Sequence, residues 1–515
     1  MIENLLSKSA YQLMSTGGDH RITIDENIGF NIYGCKPYPT YSVAYSSCTG
    51  SNISLPAYSY VMAYWNRLQT EISRDLSQCN NILKREFKKI SDNLRNFYQL
   101  DSNTEYVFGP SGTDLEYIAL FLTDKIAKKG VCNIILGLHE VGSGIDNAAK
   151  GRYFSNMTPS NVKVQHGELL NGFQSERIST VFVPIRNENG EVFTDNQLSE
   201  IIEKEIEAAL EKDTRPLIHV IHSSKTGLVL PNWDTVLKIK DKYKENIDII
   251  VDACQGRISI HSLKRYMSIE VMLLLTGSKF LSGPPFSGIL VLPNSISKRV
   301  QNLTELPAGL SSIFGEAEFP PCWHSLSTPH FNLCNIGLLL RWEAARYEMN
   351  KFFRVPDSKI EYILDCFEKN VIEMVNSSDF LSLLNNNNKN KQNRQGVLER
   401  NSIFTILITP LNTVEEVKIL HRALYSDISH ILSLNSIDEI DKISIQLGQP
   451  VSISQTNPKM NTTLRIALSA QQISELAQLD ESIVQTRFEM DMKFIKQKIQ
   501  LILNNFDKIK FNLNL

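Results

Sequence analysis

At 515 residues the chain is too long for one hydrophobic core, so we expect roughly two to four structural units or one large domain with a small one appended. The net charge of −3 argues against a general affinity for nucleic acid or anionic membrane, and 42% apolar with 21% charged residues is ordinary for a globular protein. Eight cysteines without a CxxC pair make a disulfide framework or a metal site unexpected, and we expect reduced thiols. No apolar run approaches the roughly 18 residues of a membrane span, and the N-terminus lacks the pattern of a signal peptide, so we expect a cytoplasmic protein.

The first hundred residues divide into a polar stretch and a helical one. Up to about Ser59 the sequence is rich in Tyr, Ser, Asn and Gly, and residues 60–94 then place apolar side chains at helical spacing. We interpret residues 1–100 as an N-terminal arm followed by helices.

Residues 101–330 alternate short β-rich runs with helical stretches. Several runs are apolar on both faces, which is typical of strands covered by helices on each side. The alternation predicts a large α/β domain with a mostly parallel sheet. The runs are VCNIILGL (131–138), STVFVPI (179–185), LIHVIHS (217–223), IDIIVDAC (247–254), VMLLLTGS (271–278) and GILVLP (288–293).

Residues 331–515 have a different texture, which predicts a smaller C-terminal α+β domain. Residues 335–353 have a helical pattern, and an asparagine-rich segment at 385–393 is typical of a surface loop or a disordered insert. Two strand-like runs follow, IFTILITP (403–410) and LRIALSA (464–470), and then an amphipathic tail to about Phe506.

A turn at Ser111-Gly112-Thr113 precedes the helical stretch DLEYIALFL. We expect Thr113 to cap this helix and Glu116 to complete a capping box. The free backbone N–H groups and two hydroxyls would then form a phosphate cradle, although an ordinary helix cap is the alternative interpretation.

Polar residues also follow the next strand-like runs. His139 comes after the run that begins at Val131, where its imidazole is placed either to lie on a ligand ring or to serve as a structural histidine. The run ending at His222 leads into the polar loop Ser223-Ser224-Lys225-Thr226-Gly227.

A carboxylate and a lysine end two further runs. Asp252 follows an apolar strand, where a charge is costly unless it meets a cation or caps a helix. Lys279 directly follows the next run, and Thr276 and Ser278 beside it are further candidates for binding phosphate.

These groups form an ordered set, because ligands of open α/β sheets bind at the carboxyl ends of the strands. One ligand requires an anion cradle, a ring-stacking group, a carboxylate and a lysine together, namely pyridoxal 5′-phosphate (PLP). Lys279 would form a Schiff base with its aldehyde, and Asp252 would keep the pyridine nitrogen protonated. Burial and the cationic ring would lower the pKa of the lysine, which favours the nucleophilic amine.

The segments VDACQG and TGSKFLSGPPFSGILVLP resemble the fold-type I PLP enzymes, the aspartate aminotransferase superfamily, and are most similar to its class V aminotransferase and cysteine desulfurase branch. The resemblance covers residues 105–345 well and 400–515 loosely. It implies the PLP-transferase fold: a large domain with a mostly parallel seven-stranded sheet between helices, and a smaller α+β domain.

The resemblance also implies roles for individual residues. Gln255 would bind the phenolic oxygen of the cofactor, near Ser223 or Ser224. Ser327-Thr328-Pro329 resembles a segment that reaches the phosphate of the neighbouring subunit's cofactor, so Thr328 would bind cofactor and the protein would be a homodimer with shared active sites.

Three further residues are candidates for binding the substrate. Arg465 lies where the family's carboxylate-binding arginine stands, although a surface arginine on an edge strand is the alternative. Arg21 and Tyr33 are possible contacts at a substrate entrance, for which an arm wrapping the dimer partner is the alternative.

Two departures bear on the reaction. Ser278 precedes the lysine where the branch commonly has histidine, and no cysteine follows Cys366, which argues against desulfuration. We therefore expect an aminotransferase acting on an amino acid or amino-bearing metabolite. The alternatives are a PLP-dependent lyase or decarboxylase, or a non-catalytic binding protein of this fold.

Overall fold

The computed structural model of the chain describes residues 2–26, 28–188, 190–323, 326, 333–384, 396–432, 439–453 and 462–513. Within these ranges the strands are β1 (Val43–Tyr45), β2 (Glu105–Gly109), β3 (Val131–Leu136), β4 (Ile178–Val183), β5 (Arg215–His222), β6 (Val229–Leu230), β7 (Asp248–Asp252), β8 (Met272–Thr276), β9 (Gly288–Leu292), β10 (Leu381–Leu383), β11 (Ile403–Ile408), β12 (Ile445–Val451) and β13 (Thr463–Ala467). The helices are α1 (Ile2–Leu6), α2 (Ala10–Met14), α3 (Leu55–Arg74), α4 (Cys79–Tyr98), α5 (Gly112–Asp124), α6 (Ile145–Ala148), α7 (Asp195–Glu211), α8 (Trp233–Tyr243), α9 (Ile260–Ser268), α10 (Asn294–Ser297), α11 (Ile336–Phe352), α12 (Asp357–Asn376), α13 (Val414–Tyr425), α14 (Ile428–Leu432), α15 (Glu439–Lys442), α16 (Ala470–Leu476), α17 (Glu481–Asn504) and α18 (Phe506–Asn512).

The larger sheet has the order β2-β9-β8-β7-β5-β3-β4, and the two-residue β6 pairs with β5 beside this path. Strands β4, β3, β5, β7 and β8 are parallel neighbours, and β9 runs against both β8 and β2. The predicted α/β fold with a mostly parallel sheet is confirmed. All six predicted runs form strands whose ends lie within two residues of the prediction, whereas the short strand β2 was not among them.

Alternate side chains of the strands enter two apolar cores. Ile250 and Leu274 belong to the core that contains the buried helix α5, whereas Val251 and Leu273 belong to the core that contains α7 and α8. Because successive strand residues point to opposite faces, both faces of the sheet are covered by helices. This is why the central strands have apolar residues at every position.

The smaller sheet has the order β1-β12-β13-β11-β10, with β1 parallel to β12 and the other pairs antiparallel. Its strand β1 comes from the first hundred residues of the chain. The predicted boundaries near residues 100 and 330 stay a prediction, and the asparagine-rich segment at 385–393 lies outside the described residues.

The buried side chain of Arg341 fastens the N-terminal segment to the larger sheet. Its guanidinium donates to the carbonyl oxygens of Phe286 (2.6 Å), Thr16 (2.7 Å) and Met14 (3.1 Å). Burial lowers the pKa of Arg341 to about 9. The contact holds the residues that follow Met14 beside the loop that carries Lys279.

The topology brings six strand ends to one edge. Strands β2, β3, β4, β5, β7 and β8 all run in one direction, so the residues that follow them meet there. Among the described helices, none combines the length and the apolar content that crossing a membrane requires.

Candidate active site

A cavity of about 260 Å³ lies at this edge of the larger sheet. It brings together nearly all of the residues that the sequence proposed for one site. Those that line it are Ser111, Gly112, Thr113, Ser223, Ser224, Asp252, Gln255, Thr276, Ser278, Lys279, Arg465, Arg21 and Tyr33. Of the two others, His139 is exposed and is not part of the lining, and Thr328 lies outside the described residues.

The N-terminus of α5 forms one wall of the cavity. Ser111, not Thr113, is its N-cap: its backbone is extended, and its Oγ accepts from the Asp114 amide (3.2 Å) and donates to the Asp114 carboxylate (2.6 Å). The predicted capping box of Thr113 and Glu116 is therefore wrong. The helix begins two residues earlier than predicted, because Gly112 already has helical geometry.

Gly112 allows the turn to lie against the strand end of β7. A Cβ atom at this position would meet Cys254 Sγ at 2.5 Å, closer than any real contact. Only glycine therefore lets the first N–H groups of α5 approach the cavity this closely. Such groups, with the positive end of the helix dipole, favour an anion.

Asp252 and Lys279 line the cavity from the ends of the neighbouring strands β7 and β8. Asp252 Oδ1 accepts from the backbone amide of Cys254 at 3.0 Å, which orients the carboxylate. Lys279 stands on a tight loop closed by hydrogen bonds from Gly283 N to Gly277 O (2.8 Å) and from Ser282 N to Lys279 O (2.9 Å). The loop explains the small residues that follow the lysine.

The side chain of Gln255 is held at both ends. Its Nε2 donates to the carbonyl oxygen of Cys48 (3.0 Å), and its Oε1 accepts from Arg257 Nη1 (3.1 Å). An amide has two N–H groups and two acceptor lone pairs, so one of each stays available to a ligand in the cavity.

The two serines after β5 differ in their freedom to bind a ligand. The Ser224 hydroxyl donates to Glu140 (2.6 Å) and accepts from the amides of Thr226 (3.2 Å) and Leu228 (3.1 Å). Its hydrogen-bonding capacity is thus used within the protein. Ser223 also lines the cavity and is the better candidate of the two for contact with a ligand.

Glu140 is a residue of the site that the sequence analysis missed. Burial raises the pKa of its carboxyl group, but the Arg186 guanidinium and the hydroxyls of Ser224 and Thr226 hold it below its ordinary value. The ionised carboxylate thus fixes the loop after β5. Its position directly after His139, at a strand end, was the available signal.

Lys225 also lines the cavity, where its Nζ donates to the carbonyl oxygen of His139 at 3.3 Å. Burial, and then the charges of Arg465 and Lys279, lower its pKa to about 8. Its place in the polar loop after β5 was predicted, but the sequence indicated no role for it.

Arg465 on β13 reaches the cavity from the smaller sheet, and it is buried. Its donors meet neutral oxygens: the carbonyls of Gln449 (2.9 and 3.2 Å), Lys225 (3.2 Å) and Cys48 (3.5 Å), and the hydroxyl of Thr49 (2.8 Å). No carboxylate pairs with Arg465 in the part of the chain that the structure describes.

Arg21 is placed differently, because its charge is already neutralised. It forms an ion pair with Asp19 (2.6 Å), and its guanidinium lies over the rings of Phe154 (5.3 Å) and Phe286 (5.4 Å). Tyr33 lies 6.2 Å from the ring of Phe286, and burial raises its pKa. Arg21 and Tyr33 therefore line the cavity beside the ring of Phe286, and the ion pair between Arg21 and Asp19 carries no net charge.

Solved structures share this fold. The cysteine desulfurase CsdA from Escherichia coli is 12% identical and matches with a TM-score of 0.50 over 89% of this chain and 95% of its own. The cystine C-S lyase C-DES, solved with its product cysteine persulfide, is 13% identical with a TM-score of 0.52 over 88% of this chain and 97% of its own. A C-DES variant with glycine covalently linked to its PLP cofactor is 12% identical, with a TM-score of 0.52 over 88% and 96%.

No protein-family model and no curated protein matches the sequence. The structural likeness confirms the predicted fold, that of the fold-type I enzymes, at low sequence identity.

Proposed function

We propose that the protein is a PLP-dependent enzyme acting on an amino acid or an amino-bearing metabolite. One observation carries the proposal: Asp252, Lys279 and the N-terminus of α5 line the same cavity. A carboxylate, an amine and an anion cradle are the three groups that the pyridine nitrogen, the aldehyde and the phosphate of PLP require. The cofactor of the C-DES structure supports the same choice.

The residues of the cavity fit this cofactor. The close approach of Gly112 to Cys254 leaves the first N–H groups of α5 free to bind the phosphate, with the hydroxyls of Thr113 and Ser278 beside them. Thr276 contributes less as a donor, because its hydroxyl donates to the Cys254 carbonyl at 2.6 Å. Lys279 would hold the aldehyde carbon, and Gln255 and Ser223 would bind the phenolic oxygen.

When bound, PLP supplies an electron sink for bonds at the substrate Cα. The residues of this chain do the rest. Asp252 keeps a proton at the pyridine nitrogen, Arg465 places positive charge near the substrate carboxylate, and Lys279 Nζ takes the proton from Cα as general base. The aromatic rings of Phe286 and Tyr33, which also line the cavity, would shield it from water.

Transamination and elimination both use these residues. Transamination would require Lys279 to move the Cα proton to the cofactor carbon that carried the aldehyde. A lyase would instead expel a group from the substrate. The lyase is the second candidate because CsdA is a cysteine desulfurase and C-DES a C-S lyase. Cys254 is the thiol in the cavity, but burial and the charge of Asp252 raise its pKa well above its ordinary value and keep it protonated. This argues against Cys254 as an acceptor of sulfur, because the thiolate is the reactive form.

A homodimer with shared active sites stays part of the proposal. The segment expected to reach the partner's cofactor, Ser327-Thr328-Pro329, lies outside the described residues. Sedimentation of the purified protein measures the oligomeric state.

The test is the visible absorption spectrum of the full-length protein after incubation with PLP and removal of free cofactor. We expect a yellow protein whose visible band is lost in Lys279→Ala and kept in Lys264→Ala, a variant of an exposed lysine. A protein that stays colourless, or a band unchanged in Lys279→Ala, would contradict the proposal.

The same preparation separates the reaction classes. Amino acids are added without a keto acid. Stoichiometric conversion to the pyridoxamine form indicates an aminotransferase, whereas catalytic release of sulfide, ammonia or carbon dioxide indicates a lyase or decarboxylase.

A further inference from the structure

Lys225 is a half-buried cation in the cavity with little to bind. Its Nζ carries three N–H donors, and the one hydrogen bond that it makes to the described residues is the long one to the His139 carbonyl (3.3 Å). Among the described residues, no carboxylate lies within ion-pairing distance of this amine. Glu140, whose charge attracts this amine, already accepts from Arg186 (2.9 Å), Ser224 and Thr226.

Arg465 presents the opposite case. A guanidinium has five N–H donors, and five hydrogen bonds to protein oxygens account for all of them. Two parallel donors for a carboxylate would become available only if some of these bonds broke. Arg465 therefore acts through its charge and through its bond to the backbone carbonyl of Lys225 (3.2 Å), which positions the lysine loop.

We infer that Lys225 is the side chain that binds the carboxylate group of the substrate, and that Arg465 is a positioning residue behind it. This inference rests on the proposed function, since it assumes that an amino acid enters the cavity. The direct contact with the substrate carboxylate is thus assigned to Lys225, which has donors available, and not to Arg465, the candidate predicted from the sequence.

The charges around Lys225 agree with this role. Arg465 and Lys279 repel its ammonium group, and Glu140 and Asp252 attract it; with burial, the balance lowers its pKa to about 8. Two cations from different elements, neither paired with a carboxylate in the described structure, share this part of the cavity. An entering carboxylate relieves their repulsion, whereas a neutral ligand does not.

The test measures binding of propionate, a carboxylate without an amino group that cannot react at Lys279. Isothermal titration uses the full-length protein incubated with PLP. We expect Lys225→Met to weaken propionate binding at least about tenfold, which corresponds to 1.4 kcal/mol. Lys225→Arg is expected to restore most of the affinity, and Lys264→Met to leave it unchanged. The melting temperature and the visible band should not change in Lys225→Met, which separates binding from a structural role.

Two results would overturn the inference. In one, Lys225→Met binds propionate within twofold of the parent protein. In the other, Arg465→Lys abolishes binding in a folded protein while Lys225→Met does not. The outcome is independent of the cofactor test: a yellow protein that is indifferent to Lys225→Met refutes this subsite alone. If the protein stays colourless but its propionate binding depends on Lys225, the proposal that it binds PLP is wrong and the carboxylate subsite is supported.

Discussion

Arg257 donates a hydrogen bond from Nη1 to Oε1 of Gln255 over 3.1 Å, and both side chains are buried. The same guanidinium donates to the hydroxyls of Ser402 (2.7 Å) and Ser47 (2.9 Å). Arg257 thus joins the segment after β7 to Ser47 in the N-terminal segment and to Ser402, which directly precedes β11. Burial lowers its pKa to about 10, so it stays protonated at neutral pH.

Replacing this arginine tests how firmly the cavity wall is held. Arg257→Met removes donors to several buried oxygens, and we expect the free energy of unfolding to fall by about 2 kcal/mol or more. Because Gln255 also loses its fixed orientation, PLP should bind more weakly. Urea unfolding and cofactor titration measure the two effects. Arg74→Met, at an exposed position, is the control, and equal stability of the two variants would contradict the assigned role.

Asp252→Asn tests the carboxylate at the end of β7. An asparagine keeps the shape of the side chain but carries no charge to hold a proton on the pyridine nitrogen. We expect the visible band that depends on Lys279 to persist while turnover falls on the order of 100-fold or more. The spectrum and the rate with the best amino-acid substrate are measured together. Full turnover in this variant would show that Asp252 does not face the ring nitrogen.

Gly112→Ala tests the close approach of α5 to the strand end. The added Cβ would lie 2.5 Å from Cys254 Sγ, so the turn must shift, at a cost of about 1–3 kcal/mol. Phosphate affinity, measured by titration of the full-length protein, should fall as well. The double variant Gly112→Ala/Cys254→Ala removes the sulfur and should recover most of the stability. If the single variant is as stable as the parent, the packing at this turn is looser than described.

Asp114 gives the protein a pH dependence near the cavity. Burial, and then the charge of Asp19, raise its pKa from 3.8 to about 7. The folded state therefore holds a proton that the unfolded state has lost between these pH values, so this group makes stability fall as pH rises from about 4 to about 7. Above pH 7 its full destabilising effect is present.

Asp114→Asn removes the titration and keeps a side-chain oxygen that can accept the hydrogen bond from the Ser111 hydroxyl (2.6 Å). We expect the variant to gain about 1 kcal/mol or more over the parent protein at pH 8, and little at pH 4. Urea unfolding at both pH values measures the difference. An advantage that is equal at the two pH values would mean that Asp114 does not titrate as described.

The sequence alone was sufficient to predict six strands of the larger sheet, but not its edge strand β2 or the two-residue β6. Strands buried on both faces have apolar residues at every position, and this pattern is local, so the strand that ends at Asp252 and the one that precedes Lys279 were identified to within two residues. The edge at which they meet followed from the parallel order of the strands.

The tertiary structure decided which of these groups are free to act. The contacts that occupy Gln255, Ser224 and Arg465 come from Cys48, Glu140 and Thr49, which lie between 84 and 416 residues away in the chain. Among the described residues, Lys225 Nζ bonds only to the His139 carbonyl oxygen, and the His139 side chain does not line the cavity. A side chain's hydrogen-bonding capacity is shared among all its neighbours in space, and local sequence patterns carry no information about neighbours so distant.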